Sequence, residues 1–121
     1  VGAEMNAYTA KEKTCIYASF SDEYFNRALE LLTDITFFSI FPEKEILKEK
    51  KVIHEEIDMY DDNPEEFVID KIQELIFPNH PLGWNILGTH QSLDKLNKDD
   101  LLNFTESFYC TENIVFSYNG S

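Results

Sequence analysis

Two glutamates in one predicted helix, Glu49 and Glu56, have the residue type and spacing of a metal or acid–base site. They are seven positions apart in the sequence, nearly two turns of an α-helix, so their side chains stack on one side of it. At about 100° per residue, both point from the middle of an apolar arc that contains Val52, Ile53 and Tyr60. An unpaired carboxylate is costly to bury, so each glutamate is expected to need a cation, a proton or several hydrogen-bond donors.

Two interpretations of this pair stay open. Either one carboxylate binds a metal and the other supports it, or both are snorkelling or salt-bridged acids on a wide helix face. His54 and Glu55 fall on the opposite side of the helix, so we expect His54 to be a solvated surface residue. His80 and His90 lie ten positions apart in a predicted loop, where hydrogen bonding is the expected role. The sequence has no H-x-x-H, H-E-x-x-H or C-x-x-C motif, so the other ligands of a metal site are missing from it.

The composition is that of one small, acidic, globular domain. The chain has 121 residues, 43% of them apolar, and a net charge of −13. That charge argues against binding to nucleic acids or anionic membranes, and the simplest role of the acidic surface is solubility. Two cysteines, Cys15 and Cys110, are too few for a disulfide framework and are expected to be buried free thiols. No apolar run has the length of a membrane span, and the sequence leaves the cellular compartment open.

The elements that would position the glutamates follow from hydrophobic spacing and from Pro and Gly. A hairpin is predicted over residues 5–20 and a closing strand over 113–120. Four helices are predicted between them, over residues 23–38, 43–60, 64–76 and 93–109. The third is expected to bury Phe67, Ile69, Ile72, Leu75 and Ile76. This order predicts an α+β fold, an antiparallel sheet with helices packed on one face. Since both ends look like sheet elements, residues 1–121 are expected to form a single partial domain of something larger.

Four segments of the sequence resemble one family of enzymes. The stretch EKKVIHEEIDMYDDNP, residues 49–64, is similar to the E-R-x-V-x-x-E-E-I-x-x-x-x-D-x-P segment of the M16 zinc metallopeptidases. Pitrilysin, insulin-degrading enzyme and the mitochondrial processing peptidases belong to that family. Three other segments resemble its conserved stretches in the same order: GAEMNAYT, HPLGWNILGT and DLLNFTESFYCTENIVFSYNG.

The resemblance implies a zinc-dependent endopeptidase with a processing-peptidase-like fold. It implies that Glu56 is the third zinc ligand and that Glu49 is an auxiliary catalytic glutamate. It also implies that Asn6 and Ala7 line the cleft and pair with an extended peptide substrate. The family's H-x-x-E-H segment, which carries the other two ligands and the general base, would lie upstream of Val1. This chain is therefore expected to be inactive by itself and to bind no zinc, and its partners would be a peptide substrate and either the rest of its own chain or a second M16-type half.

A different function remains open within the same fold. Some members of the family lack the zinc motif, so this chain could also belong to a non-catalytic M16-like partner subunit or a peptide-binding scaffold. The presence of both Glu49 and Glu56 favours the active type, since a degenerate copy has no reason to retain acids on an apolar face. An intact H-x-x-E-H upstream in the gene would support the peptidase.

Overall fold

The computed structural model describes residues 2–120, with the side chain of residue 66 left aside, and places a hairpin before a series of helices. The hairpin consists of β1 (Glu4–Ala10) and β2 (Lys13–Ser19), which form a two-stranded antiparallel sheet. In the described part of the chain the helices are α1 (Phe25–Phe37), α2 (Glu43–Asp61), α3 (Pro64–Ile76), α4 (His90–Lys95) and α5 (Lys98–Phe108). The predicted α+β class is confirmed.

Prolines and a cap set the start of the two central helices, as the sequence predicts. Pro42 is the N-cap of α2, with φ −60° and ψ 132°, and its fixed φ suits the entry to a helix. Asn63 caps α3, because its side-chain oxygen accepts a hydrogen bond from the backbone N–H of Glu65 at 3.2 Å. Pro64 follows as the first helical residue of α3, where its missing N–H costs nothing. The predicted break between these helices is therefore confirmed.

The single helix predicted over residues 93–109 is wrong. α4 begins earlier, at His90, because Thr89 and Ser92 form a capping box that satisfies the free N–H groups of the first turn. It ends at Leu96, whose φ −60° and ψ 136° are those of extended backbone. α5 then begins at Lys98. Hydrophobic spacing runs through both helices, so it does not show the break between them.

The closing strand predicted over residues 113–120 is also not formed. Thr111–Asn113 is a short 3-10 turn, and residues 114–120 have no strand assignment, although Ile114 is extended. A strand needs a neighbour to satisfy its backbone groups, and the sheet of the described residues contains only β1 and β2.

The first of two compact units comprises residues 2–8, 14–41 and 99–120. Its packing is aromatic, since the ring of Phe25 lies 6.3 Å from that of Phe20 and 4.8 Å, edge-on, from that of Tyr118. The Tyr118 hydroxyl also donates to Asp22 Oδ1 at 3.4 Å. Free thiols are present as predicted at Cys15 and Cys110, but they are only partly buried.

The second unit comprises Thr9–Lys13 and Pro42–Lys98. Here α2 packs against α3 and α4. Ile57 on α2 and Leu93 on α4 are the buried apolar residues of the described chain, with 5% and 6% of their surfaces exposed. Gly83 is buried in the loop after α3. The single partial domain over residues 1–121 stays a prediction.

The buried face predicted for α3 is wrong. All five of its predicted core residues are exposed, and the most exposed, Leu75, has 80% of its surface accessible. The contacts that α3 makes are with α2 and with the turn at Pro81–Gly83. Its spacing therefore identifies an amphipathic helix correctly, but most of its apolar side has no partner among the described residues.

Candidate metal and substrate site

Glu49 and Glu56 lie within the regular part of α2, two turns apart on an exposed side of the helix. Neither carboxylate makes a hydrogen bond or ion pair to another described residue. Backbone hydrogen bonds on both sides hold their Cα atoms in place. The oxygens of both side chains are therefore free to accept a proton, a donor or a cation.

The apolar arc that contains these glutamates is covered on one side only. The packed or half-buried residues of α2 form one stripe: Ile46, Lys50, Ile53, His54, Ile57 and Tyr60. On the other side of the two glutamates, Val52 and Met59 are 46% and 73% exposed. The prediction that the whole arc faces a core is therefore wrong, because α3 and α4 cover only the side that includes Ile57.

The prediction that His54 is a solvated surface residue is wrong. Its side chain is 29% exposed, and its Nε2 lies 3.0 Å from Asp94 Oδ1. Its Nδ1 lies 2.5 Å from Nδ1 of His90. The correction has a simple cause: α4 packs against this side of α2, and α4 is an element that the sequence did not reveal. A Thr-x-x-Ser pattern at residues 89–92 is the signal that could have placed its start.

The other two histidines differ in role. His80 accepts a hydrogen bond at Nδ1 from the backbone N–H of Leu82, at 3.2 Å, so its predicted loop role is confirmed. His90 is the first residue of α4 instead, and its Nε2 lies 3.1 Å from Asp58 Oδ1. Asp58 is four positions after His54 on α2, so it shares a side of the helix with His54.

Asn6 and Ala7 lie in β1, and both are exposed. The side-chain oxygen of Asn6 accepts a hydrogen bond from the backbone N–H of Ala7 at 2.8 Å. Because β1 pairs only with β2 among the described residues, one edge of β1 has no neighbouring strand. Such an edge can accept an additional extended strand. Asn6 and Ala7 belong to the first unit and the two glutamates to the second.

A complete metal site is not present in the part of the chain that the structure describes. Within it, no group of three or more His, Cys, Asp or Glu side chains could hold a metal ion. Glu56 fits the role of one ligand, since its carboxylate is exposed and without a partner. Among the same residues, no helix has the length and hydrophobicity needed to cross a membrane.

A sequence model of the insulinase family, peptidase family M16, matches residues 1–90 of this chain. The whole chain also aligns with several curated proteins. It is 42% identical to "Uncharacterized zinc protease YmxG" of Bacillus subtilis (strain 168) and 40% identical to an "Uncharacterized zinc protease" of Rickettsia bellii (strain RML369-C). It is 34% identical to "Probable mitochondrial-processing peptidase subunit beta, mitochondrial" of Arabidopsis thaliana.

All three alignments cover 100% of this chain, but the chain spans only 30%, 29% and 23% of the relatives' own lengths. The family model covers about three-quarters of the chain, including the hairpin, α1, α2, α3 and the loop that follows. By this match, the chain belongs to the insulinase family of peptidases, peptidase family M16.

Proposed function

We propose that this chain is part of a zinc-dependent endopeptidase and that Glu56 supplies its third zinc ligand. The observation that carries the proposal is the exposed carboxylate of Glu56 on α2, which has no partner among the described residues. Membership of the M16 family and the name "zinc protease" of the bacterial relatives support it. When bound, zinc supplies Lewis-acid chemistry that polarises a peptide carbonyl and makes water more acidic.

Glu49 lies on the same side of α2 as Glu56, two turns nearer the start of the helix. Two turns separate the two side chains, so Glu49 adds negative charge beside the ligand without competing for its position. An auxiliary carboxylate of this kind orients a ligand and increases the affinity for the cation. Neither glutamate has a hydrogen-bond or ion-pair partner among the described residues, which leaves this charge available.

The substrate is proposed to bind as an extended strand at Asn6 and Ala7. The unpaired edge of β1 offers backbone donors and acceptors to a peptide. The side-chain oxygen of Asn6 accepts a hydrogen bond from the N–H of Ala7. When a peptide strand is added, the Asn6 side chain would either release this N–H to the peptide or bind the peptide itself. Backbone pairing of this type tolerates many side chains, which suits an enzyme that cleaves peptides of varied sequence.

The chain alone is proposed to be inactive. Its sequence has no H-x-x-E-H motif, and its described residues do not bring three metal ligands together. The rest of its own polypeptide, or a second M16-type half, would complete the site.

A non-catalytic partner subunit or peptide-binding scaffold is the second candidate. The apolar side of α3, where Ile72, Leu75 and Ile76 are 51%, 80% and 61% exposed, favours it as a surface suited to a protein partner. One of the relatives is named as a subunit, the mitochondrial-processing peptidase subunit beta of Arabidopsis thaliana.

The test is made on the protein encoded by the full gene, by measuring its zinc content and its hydrolysis of an unstructured peptide. Glu56→Gln should lose one equivalent of bound zinc and reduce hydrolysis by more than about 100-fold, since it removes a ligand, and Glu49→Gln should reduce hydrolysis by about 10- to 100-fold. Glu55→Gln is the matched control, because Glu55 is an adjacent exposed carboxylate that points about 100° away from Glu56 around α2. Equal zinc content and activity in Glu56→Gln and Glu55→Gln would refute the assignment. A wild-type protein that binds the peptide without cleaving it would support the scaffold instead.

A further inference from the structure

His54 and His90 meet in an arrangement that the proposed peptidase site does not use. Their Nδ1 atoms are 2.5 Å apart, and their ring planes differ by only 10°. The ring centroids are 4.8 Å apart, which equals the Nδ1 separation plus one ring radius at each end. The two imidazoles therefore lie nearly edge to edge in one plane, with their Nδ1 atoms facing each other, instead of stacking face to face.

The outer nitrogens of the two rings are both held by carboxylates. Nε2 of His54 lies 3.0 Å from Asp94 Oδ1, and Nε2 of His90 lies 3.1 Å from Asp58 Oδ1. An ionised carboxylate only accepts hydrogen bonds, so each Nε2 carries a hydrogen. In a neutral imidazole the other nitrogen is then a bare acceptor. Two bare acceptors would repel each other at this distance, so a cation, in the simplest case a proton, must lie between them.

We propose that His54 and His90 form a binding site for a divalent transition-metal cation of the Zn²⁺, Ni²⁺ and Cu²⁺ class, ligated by both Nδ1 atoms. This site is separate from the proposed ligand Glu56, and it replaces the expectation that the chain by itself binds no zinc. Imidazole is a preferred ligand of these ions. A histidine that binds a metal characteristically donates its other ring N–H to a carboxylate, which fixes the tautomer and the ring orientation. Here both histidines already have that partner, Asp94 for one and Asp58 for the other.

Charge and space favour a divalent ion at this position. Asp58 and Asp94 together with one shared proton carry a net negative charge, which Lys50 offsets in part, since its ammonium donates to the backbone carbonyl of Asp94. The net charge of −13 on the whole chain still favours a divalent cation in place of the proton. Nitrogen ligands lie about 2.0–2.1 Å from zinc, so two of them on a tetrahedral ion are roughly 3.3 Å apart. The rings must separate by roughly 0.8 Å and also turn out of their facing arrangement, so that both lone pairs point at a tetrahedral ion. His90, with a side chain 47% exposed, has the freedom to move, and solvent water can complete the coordination.

The site joins two elements of the second unit. His54 is on α2 and His90 is on α4, two helices that pack against each other and contain the buried Ile57 and Leu93. A metal bound at both nitrogens would therefore hold α4 against α2 and stabilise the folded chain by mass action.

The first experiment is a Zn²⁺ titration of the chain of 121 residues, followed through the side-chain nitrogen resonances of its histidines by NMR. We expect the Nδ1 resonances of His54 and His90 to shift together and to saturate at one equivalent. His80 serves as an internal control, because its Nδ1 accepts a backbone hydrogen bond in a loop. Unchanged Nδ1 resonances, or a shift confined to one of the two rings, would overturn the proposal. This measurement needs no variant, so it does not depend on how well a variant folds.

Calorimetric titration of variants with Zn²⁺ is the second experiment. His54→Gln and His90→Gln should each weaken binding by more than tenfold, and Asp58→Asn or Asp94→Asn by about 10- to 100-fold. His80→Gln and Glu55→Gln should bind as the wild type does. Undiminished binding by either His54→Gln or His90→Gln would overturn the proposal. Loss of binding in Glu56→Gln alone would do so too, since it would assign the zinc to that glutamate.

Discussion

The two sides of α2 differ in what covers them, although both contain apolar and charged residues. On one side, Ile57 is buried, His54 is paired, and Lys50 donates to the backbone carbonyl of Asp94 at 2.9 Å. On the other side, Glu49 and Glu56 are exposed and have no partner among the described residues. One side of α2 thus packs against other elements of the fold, and the other side is accessible to a ligand.

The covered side of α2 contributes to the stability of the fold, whereas the uncovered side is the candidate for binding. Burying an isoleucine side chain contributes about 1.5–3 kcal/mol, so the side with Ile57 has a clear role in folding. Exposed carboxylates next to exposed Val52 and Met59 contribute little to folding by themselves. An acidic pair on an otherwise apolar surface is therefore better explained by what binds there, as the proposed zinc site requires.

The largest effect is expected from Ile57→Ala. It removes buried methyl groups and leaves a cavity between α2 and its neighbours, so the free energy of unfolding should fall by about 2–4 kcal/mol. Urea unfolding followed by circular dichroism measures this change. Met59→Ala is the control on the uncovered side of the same helix, where the change should stay within about 0.5 kcal/mol. Equal losses in the two variants would show that the sides of α2 are not different.

Gly83→Ala tests the packing beyond α2, in the loop that follows α3. A Cβ at this position would lie 2.5 Å from the carbonyl oxygen of Phe77 and 3.3 Å from Cα of Glu74. Both are backbone atoms that cannot move aside easily, so the substitution should cost about 1–3 kcal/mol. Trp84→Ala, at the adjacent residue with 62% of its surface exposed, should cost less despite the larger change in volume. Thermal unfolding of both variants measures which substitution lowers the stability more.

The sequence predicts local elements well where caps and prolines mark them. The hairpin, α2 and the start of α3 at Pro64 follow from signals that act within a few residues. The break at Leu96 has a weaker local signal, the N-cap residue type Asn97 followed by Asp99 and Asp100, and hydrophobic spacing alone predicts one helix there. The expected strand over residues 113–120 depends on a neighbouring strand, and that is information a local pattern does not contain.

The same limit applies to the candidate site. A helical wheel correctly places Glu49 and Glu56 on one side of α2, because this depends only on helix geometry. It does not show which part of an apolar arc will be covered, since that depends on where α4 packs. His54 was misplaced for this reason, and its contact with His90 joins residues 36 positions apart in the sequence.

Removing the charges on the uncovered side should have little effect on folding. Glu49→Gln and Glu56→Gln, singly or together, are expected to change the free energy of unfolding of this chain by less than about 0.5 kcal/mol, because neither carboxylate has a partner to lose. Urea unfolding measures it, with Asp94→Asn as the comparison, since that variant replaces the charged acceptor of His54 Nε2 by a neutral amide oxygen. A loss above 1 kcal/mol in the glutamate variants would mean that these side chains stabilise the fold.

The smallest effect is expected on the titration of Glu112, whose carboxyl accepts hydrogen bonds, unlike those of Glu49 and Glu56. Hydrogen bonds from its own backbone N–H, and then from the side chains of Thr111 and Cys110, hold the pKa of its carboxyl below the usual 4.5. A carboxyl whose pKa is lowered by folding stabilises the folded state above its unfolded pKa, and this contribution disappears as the pH falls through the folded pKa. Carbon NMR of the carboxyl should therefore give a midpoint below 4.5. Thr111→Val removes the donor 3.3 Å from Oε2 and should raise that midpoint, whereas Thr111→Ser keeps a hydroxyl and should leave it low. If the two variants have the same midpoint, the Thr111 hydroxyl does not contribute to the shift.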